Sequence, residues 1–132
     1  NSILYDPAVF EFVDGSQFTI TFMGRLRPQP ILRLRHRATG QEIYVVNTHP
    51  SAGDGVYAAQ RRAGQATLVN VVNDLKSTGL PVLVTGDMIG ARARIEELPA
   101  GQGPQILEKP FSTLDVRSVL AAITEQVARG AR

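Results

Sequence analysis

Polar residues that could contact a ligand follow three short apolar runs of this chain. Asn47 and His49 follow the first run, Thr85 and Asp87 the second, and Lys109 the third. If these runs are neighbouring parallel strands, the five side chains converge at one strand-end crevice, which is where open α/β sheets bind ligands. The alternative interpretation is that Asn47 and His49 only cap the end of a strand.

The composition limits the chemistry that these residues could perform. The 132 residues include no cysteine and two histidines, so histidine and carboxylate side chains are the plausible metal ligands. A hydrophobic content of 43% and a charged content of 20% are ordinary for a single compact domain. No apolar run is long enough to cross a bilayer, and the first residues do not form a signal segment. We expect a soluble protein of cytoplasmic type, although composition leaves its compartment open.

The net charge of +2 is too small to indicate a nucleic-acid-binding protein by itself. One basic cluster exists, in which Arg33, Arg35 and Arg37 alternate with apolar or neutral residues. A strand here would place all three guanidinium groups on one face. Because few aromatic residues accompany them to stack on bases, we interpret this face as solvated and expect no specific nucleic-acid partner.

The first half of the chain is rich in short β-branched and aromatic runs that predict strands. Asp14-Gly15 is predicted to be a turn between two of these strands, and Gly24–Pro30 is predicted to be a loop because it holds two prolines. A hairpin is predicted around residues 38–41. The predicted strands are Ile3–Tyr5, Val9–Val13, Phe18–Phe22, Ile31–Arg37 and Glu42–Thr48.

The second half alternates helices and short apolar strands. Apolar residues at helical spacing predict a helix over about 57–78, and strands are predicted at 82–86 and 105–108. Right-handed crossovers place this helix and a shorter one at about 91–98 on the same sheet face. A final helix, with a capping-box-like start at Ser112 and Asp115, covers the other face with an apolar stripe of Val116, Val119, Leu120, Ile123 and Val127. The predicted fold is a three-layer α/β domain with a mixed sheet, antiparallel among its N-terminal strands and a parallel βαβαβα unit after them.

Residues 1 to about 87 resemble the endonuclease/exonuclease/phosphatase superfamily of DNase-I-like, metal-dependent phosphodiesterases. The resemblance rests on NSILYDPAVFEF, on TGQEIYVVNTHP, on the helix that carries Arg61, Arg62 and Gln65, and on the strand that ends in VTGD. It implies that His49, in Asn47-Thr48-His49, faces the scissile phosphate. It also implies that Asp87 lies beside the metal and the attacking water. The family has an asparagine where this chain has Ile89, and an isoleucine side chain cannot form hydrogen bonds.

Residues 81 to about 130 resemble the C-terminal half of a response-regulator receiver domain, on PVLVTGDMIGARARIEEL and QILEKPFSTLDVRSVLAAI. That resemblance implies that Thr85 and Lys109 contact a phosphoryl group. Asn47 falls about where the receiver family has its phosphoacceptor aspartate, and a carboxamide cannot form an acyl phosphate. The acidic pair that binds Mg²⁺ in receivers has no counterpart here. We interpret residues 1–132 as one composite domain, with a phosphodiesterase-like half (1–87) and a receiver-like half (81–132) that share a strand.

Three classes of function remain open from the sequence. The first is a folded chimeric or de novo-type domain without evolved catalytic activity, in which Asn47, His49 and Asp87 are vestiges of a catalytic site and Thr85 and Lys109 are vestiges of phosphate contacts. The second is a residual metal-dependent phosphodiesterase or phosphatase, and the third is a receiver-like interaction module that is not phosphorylated. We expect no cofactor beyond weak Mg²⁺ binding at Asp87. We also expect a homodimer, because apolar residues of the early strands would lack cover: Ile20, Phe22, Leu32 and Leu34.

Overall fold

The structure is a computed structural model that describes residues 1–86, 105–108, 121–125 and 128–129. These residues form a mixed sheet with the strand order β1-β2-β3-β4-β5. Strand β2 is antiparallel to both of its neighbours, β1 and β3, whereas β4 is parallel to both of its neighbours, β3 and β5, which confirms the predicted mixed sheet. The elements are β1 (Phe10–Phe22), β2 (Arg25–His36), β3 (Glu42–Thr48), α1 (Val56–Lys76), β4 (Val82–Gly86) and β5 (Gln105–Glu108). Within the described segments, no helix is long and apolar enough to span a membrane.

A tight turn at Met23-Gly24 joins β1 to β2, so the predicted loop over Gly24–Pro30 is wrong. Both turn residues have positive φ angles, 47° and 79°, and Phe22 pairs with Arg25 across the turn. Such two-residue turns follow the natural twist of a hairpin and favour glycine. The two prolines that suggested a loop lie in the first part of β2, which pairs with β1 only. The pairing of β2 with β3 begins at Ile31. A missing N–H group is tolerated in such a half-paired stretch.

Strand β1 is continuous where the sequence predicted two strands separated by a turn. The register with β2 shifts between Phe12 and Asp14, which marks a β-bulge in place of the predicted Asp14-Gly15 turn. The Gly15 backbone N–H donates to Asp14 Oδ1 over 2.8 Å, so the turn-forming aspartate satisfies a local donor without ending the strand. The predicted strand Ile3–Tyr5 is also wrong, because residues 1–6 precede β1 outside the sheet.

Helix α1 covers one face of the sheet, as its apolar periodicity predicted. Gly64 lies against Ile20, and a Cβ atom at this position would make an ordinary contact 3.5 Å from the Ile20 side chain. Leu68 and Val72 are almost fully buried in the same cluster. Truncating a buried leucine such as Leu68 to alanine typically costs about 2–5 kcal/mol of stability. This layer therefore buries one face of the central strands.

The opposite face packs against the C-terminal helical residues 121–125. Leu34, Ile43 and Val45 form a second buried cluster with Ile123, so the described residues 121–125 cover the face that was predicted for the last helix. The homodimer was expected partly because Ile20 and Leu34 would be uncovered. Both side chains are buried, so this part of the argument is wrong. The predicted helix at about 91–98, and the predicted start and remaining stripe of the last helix, lie outside the described residues.

Candidate functional site

The carboxyl ends of β3 and β4 are held together by a close backbone approach. Asn47 pairs with Thr85 and Thr48 with Gly86 in the parallel register. Gly86 has a φ of 131°, and a Cβ atom at this position would overlap the Thr48 carbonyl oxygen. Only glycine meets both constraints, so the glycine of the VTGD motif is explained by strand packing alone.

The structure brings Asn47 and Thr85 together, as the sequence predicted, and each of them uses its polar atoms inside the protein. Asn47 is 6% exposed. Its Nδ2 donates to the Ser2 carbonyl oxygen over 2.9 Å, and its Oδ1 accepts a hydrogen bond from Thr85 Oγ1 over 3.1 Å. A buried amide with both ends bonded braces its surroundings. Asn47 therefore fits the strand-capping interpretation, since it ties the N-terminal segment to both strands.

His49 lies just beyond β3 and presents an exposed ring at the strand end. The ring packs edge-on against Phe22, with centroids 5.1 Å apart and planes at 86°. The backbone N–H of His49 donates to Gln29 Oε1 over 2.7 Å. The imidazole is thus positioned by an aromatic contact from β1 and by a backbone hydrogen bond to β2.

Gln29 organises this region, and the sequence analysis did not identify it. Its side chain is 2% exposed, and its Oε1 accepts hydrogen bonds from the His49 N–H and from Asn1 Nδ2, both over 2.7 Å. Its Nε2 donates to the carbonyl oxygens of Arg27 and Pro28 over 3.3 Å and 3.0 Å. The available signal was a lone glutamine between two prolines, in a segment whose composition predicts a loop. Because every polar atom of the amide is used, Gln29 positions its neighbours and is not itself available to a ligand.

These residues border a cavity of about 370 Å³ at the end of β3, which we call the strand-end cavity. Arg27 supplies a permanent positive charge and His49 an imidazole, and the described lining includes no carboxylate. Arginine donates several hydrogen bonds in a fixed planar geometry that suits phosphate and other oxyanions. The described lining consists of Asn1, Phe22, Arg27, Pro28, Gln29 and His49.

The described lining does not fit a divalent metal ion. Mg²⁺ prefers oxygen ligands, above all carboxylates, whereas the amide oxygen of Gln29 here already accepts two hydrogen bonds. Within the described segments, no three histidine, aspartate or glutamate side chains form a group that could hold a metal. Asp87, Ile89 and Lys109 lie outside the described residues, so their predicted places beside this site remain predictions.

Arg61, one of the two arginines of α1 that contributed to the family resemblance, has a structural role. Arg61 donates to the carbonyl oxygens of Ser51 and Gly53 over 3.1 Å and 2.8 Å, which fixes the loop between β3 and α1. Ser51 Oγ in turn accepts the backbone N–H of Met23 over 3.0 Å. One network therefore joins the helix, this loop and the β1–β2 turn, and it keeps the edge of the strand-end cavity in place.

The three arginines of the basic cluster all have partners within the protein, and two of them pair with carboxylates. Arg33 forms an ion pair of 2.8 Å with Glu42, and Arg35 contacts Glu42 and Glu11, each over 3.1 Å. The hydrogen bond from Arg33 holds the pKa of Glu42 below its usual value, with a smaller contribution from Arg35. The same bond raises the pKa of Arg33. Arg37 donates from Nε to the Pro7 carbonyl oxygen over 2.9 Å. The cluster is thus a paired surface network and not an open cationic face.

The fold of this chain is similar to that of a solved catalytic domain. No protein-family model matches the chain, and no curated protein matches it. The structure of the human Nocturnin catalytic domain with bound sulfate anion superimposes with a TM-score of 0.51 at 19% sequence identity. The match covers 82% of this chain and 46% of that domain. The chain therefore spans less than half the length of the Nocturnin domain, and the likeness supports the endonuclease/exonuclease/phosphatase resemblance at the level of fold.

Proposed function

We propose that this chain binds the oxyanion of a phosphate ester in the strand-end cavity and does not hydrolyse it. The observation that carries the proposal is the placement of Arg27 and His49 on one cavity at the carboxyl end of a central strand. In open α/β sheets, ligands bind at this edge. The solved structure with the related fold holds a sulfate, which is a tetrahedral oxyanion like a phosphate group.

The backbone of both candidate ligand residues is held in place before a ligand arrives. Gln29 bonds to the backbone of both residues, through the Arg27 carbonyl oxygen and the His49 N–H. The Phe22 ring supports one side of the imidazole. A site whose groups are already oriented loses less conformational entropy on binding. In the proposed complex, the guanidinium of Arg27 and a ring N–H of His49 donate hydrogen bonds to the oxyanion.

We expect no hydrolysis because the described lining lacks the groups that hold a metal ion and activate water in such reactions. Cleavage by a metal-dependent phosphodiesterase needs a divalent ion to neutralise charge and ready the nucleophile. The described lining of the strand-end cavity offers no carboxylate for it, and Ile89 stands where the resembling family has a hydrogen-bonding asparagine. Asn47 could replace that amide only by breaking its bonds to Ser2 and Thr85. The proposal extends the chimeric, catalytically inactive interpretation by giving the retained strand end a binding role.

Titration with phenyl phosphate, followed by NMR of the His49 ring and the Arg27 side chain, tests the proposal. We expect saturable shifts at both groups, and Arg27→Gln is expected to weaken binding about tenfold or more, since hydrogen bonds to charged groups contribute about 1.5–3 kcal/mol. Arg25→Gln is the matched control, because Arg25 is an exposed arginine on the same strand that is not among the described lining residues. If both variants weakened phenyl phosphate binding equally, the effect would come from the loss of any positive charge on the surface, and this result would contradict the proposal.

A further inference from the structure

A second cavity, of about 510 Å³, lies between the β2–β3 turn, the start of β1 and helical residues 121–125. We call it the turn-side cavity, and it shares no described lining residue with the strand-end cavity. Its volume is within the range of about 300–1,000 Å³ that is usual for small-molecule sites. Its described lining consists of Val9, Phe10, His36, Thr39, Gln41, Ile43, Ile123 and Thr124.

One wall of the turn-side cavity is apolar and continuous with the protein core. Ile43 and Ile123 are buried members of the second core cluster, and Phe10 packs against that cluster. Phe10 and Ile43 come from the sheet and Ile123 from the C-terminal helical residues, so this wall is formed by the contact between the two. Such a surface gains free energy when it contacts an alkyl or aromatic group.

The other wall carries polar groups whose hydrogen bonds determine what a ligand could meet. Thr39 Oγ1 accepts the Gln41 backbone N–H over 3.2 Å and lies 2.9 Å from His36 Nδ1. The Thr39 hydroxyl hydrogen can donate to His36 Nδ1 in the tautomer whose ring proton lies on Nε2. A neutral histidine that accepts at Nδ1 carries its proton on Nε2. His36 can therefore offer an N–H donor to a ligand.

Backbone hydrogen bonds and a ring contact define the shape of the polar wall. The His36 N–H donates to the Gln41 carbonyl oxygen over 2.7 Å, and the Gly40 N–H donates to the His36 carbonyl oxygen over 2.8 Å. The ring of His36 also packs edge-on against Phe10, with centroids 5.6 Å apart. The Arg37 N–H donates to the Val9 carbonyl oxygen over 2.9 Å, which joins the turn to the segment before β1. Preorganisation of this kind favours a defined ligand geometry.

We infer that the turn-side cavity binds a medium-chain carboxylate. The alkyl chain would lie against Phe10, Ile43 and Ile123, and the carboxylate would accept the His36 Nε2 hydrogen. None of the described lining residues is an aspartate or glutamate that would repel this head group. A hydrogen bond to a charged acceptor is stronger than one to a neutral acceptor, so an acid is favoured over the alcohol of the same length.

The test is a titration of the ¹⁵N-labelled protein with decanoate below its micelle concentration, with decanol as the neutral comparison. We expect saturable shifts at His36, Thr39 and Ile123 with decanoate. Val9→Trp places a large ring at the 39%-exposed rim of the cavity and is expected to weaken binding at least about tenfold. Leu26→Trp is the matched control at an exposed position remote from the cavity, and it should leave decanoate binding unchanged.

The head-group assignment has a separate test. His36→Leu is expected to weaken decanoate binding about tenfold and decanol binding clearly less, because the alcohol accepts a weaker hydrogen bond from His36 than the carboxylate does. Thr39→Val removes the hydroxyl that holds the ring, and we expect it to weaken decanoate in the same direction, so the assignment does not depend on a single variant. Equal losses for acid and alcohol would overturn the carboxylate assignment. Absent shifts, or shifts that persist in Val9→Trp, would overturn the site itself.

Discussion

Replacement of Gln29 by glutamate tests the arrangement that positions the candidate ligand residues. The change keeps an oxygen where Oε1 accepts two N–H groups and puts a second oxygen where Nε2 donates to the carbonyls of Arg27 and Pro28. A charged carboxylate would therefore face two carbonyl oxygens in a site that is 2% exposed. Only the protonated acid can still donate there, so burial and these carbonyls should raise the pKa of the new carboxyl in the folded state.

The direction and size of the pH effect follow from linkage. When a carboxyl has a higher pKa in the folded than in the unfolded protein, the folded state binds more protons between the two values, so stability falls as pH rises through that window. A tenfold difference between the two acid dissociation constants corresponds to about 1.4 kcal/mol. We expect Gln29→Glu to cost about 1 kcal/mol near pH 4 and about 3 kcal/mol or more at pH 7.5, because the lost donor is then joined by a buried charge.

Urea denaturation at the two pH values measures this difference, with Gln17→Glu as the control. Gln17 is exposed on β1, so the same change of charge should alter stability there by less than about 0.5 kcal/mol at either pH. The variant should also weaken phenyl phosphate binding at pH 7.5, since it adds a negative charge beside the strand-end cavity. A loss that is equal at both pH values, or no larger than that of the control, would refute the assigned bonding of Gln29.

Other features of the structure lead to predictions that can be checked independently. Gly86→Ala should cost about 4 kcal/mol or more in urea denaturation, whereas Gly40→Ala, with open space and φ 74°, should cost about 1 kcal/mol; equal costs would contradict the close approach of β3 and β4. The pKa of Glu42 is lower in the folded protein than in the unfolded chain, so Glu42 stabilises the fold above its unfolded pKa, and this contribution is lost as the pH falls through its folded pKa. Glu42→Gln should therefore make the free energy of unfolding depend less on pH in acid. An unchanged acid profile would be inconsistent with the ion pairs. No Mg²⁺-dependent cleavage of bis-nitrophenyl phosphate above an Asp87→Ala control is expected, and chelator-sensitive turnover would instead favour the phosphodiesterase alternative. We propose a homodimer through edge strand β1, where Phe12 is 51% exposed; light scattering should show a dimer that Phe12→Lys dissociates, and a monomer at high micromolar concentration would be evidence against it.

The part of the fold that the sequence predicted correctly is the part in which local patterns and tertiary packing agree. Strand β3 has a continuous apolar run because both of its faces are covered, by α1 and by the C-terminal helical residues. The apolar spacing around Leu68 and Val72 matches the face of α1 that is buried. In each of these elements, the burial that determines the structure is visible as a period in the sequence.

The β1–β2 hairpin could not be predicted because its local signals conflict with its context. Prolines normally indicate a loop, but Pro28 and Pro30 lie in the part of β2 that precedes its pairing with β3. Asp14-Gly15 normally indicates a turn, but the pairing with β2 absorbs it as a bulge. The error extended to the candidate site, since Gln29 and Arg27 belong to the segment predicted as a loop. Their proximity to His49 depends on long-range pairing that no local pattern encodes.

The most direct test of the proposed function is a crystal structure of the protein grown in or soaked with phosphate. We predict an anion in the strand-end cavity, within hydrogen-bond distance of the Arg27 guanidinium and a ring nitrogen of His49. We also predict that Gln29 keeps its bond to the His49 backbone and makes none to the anion. Anion density confined to other surfaces, with the cavity between Arg27 and His49 holding only water, would contradict the proposed binding role.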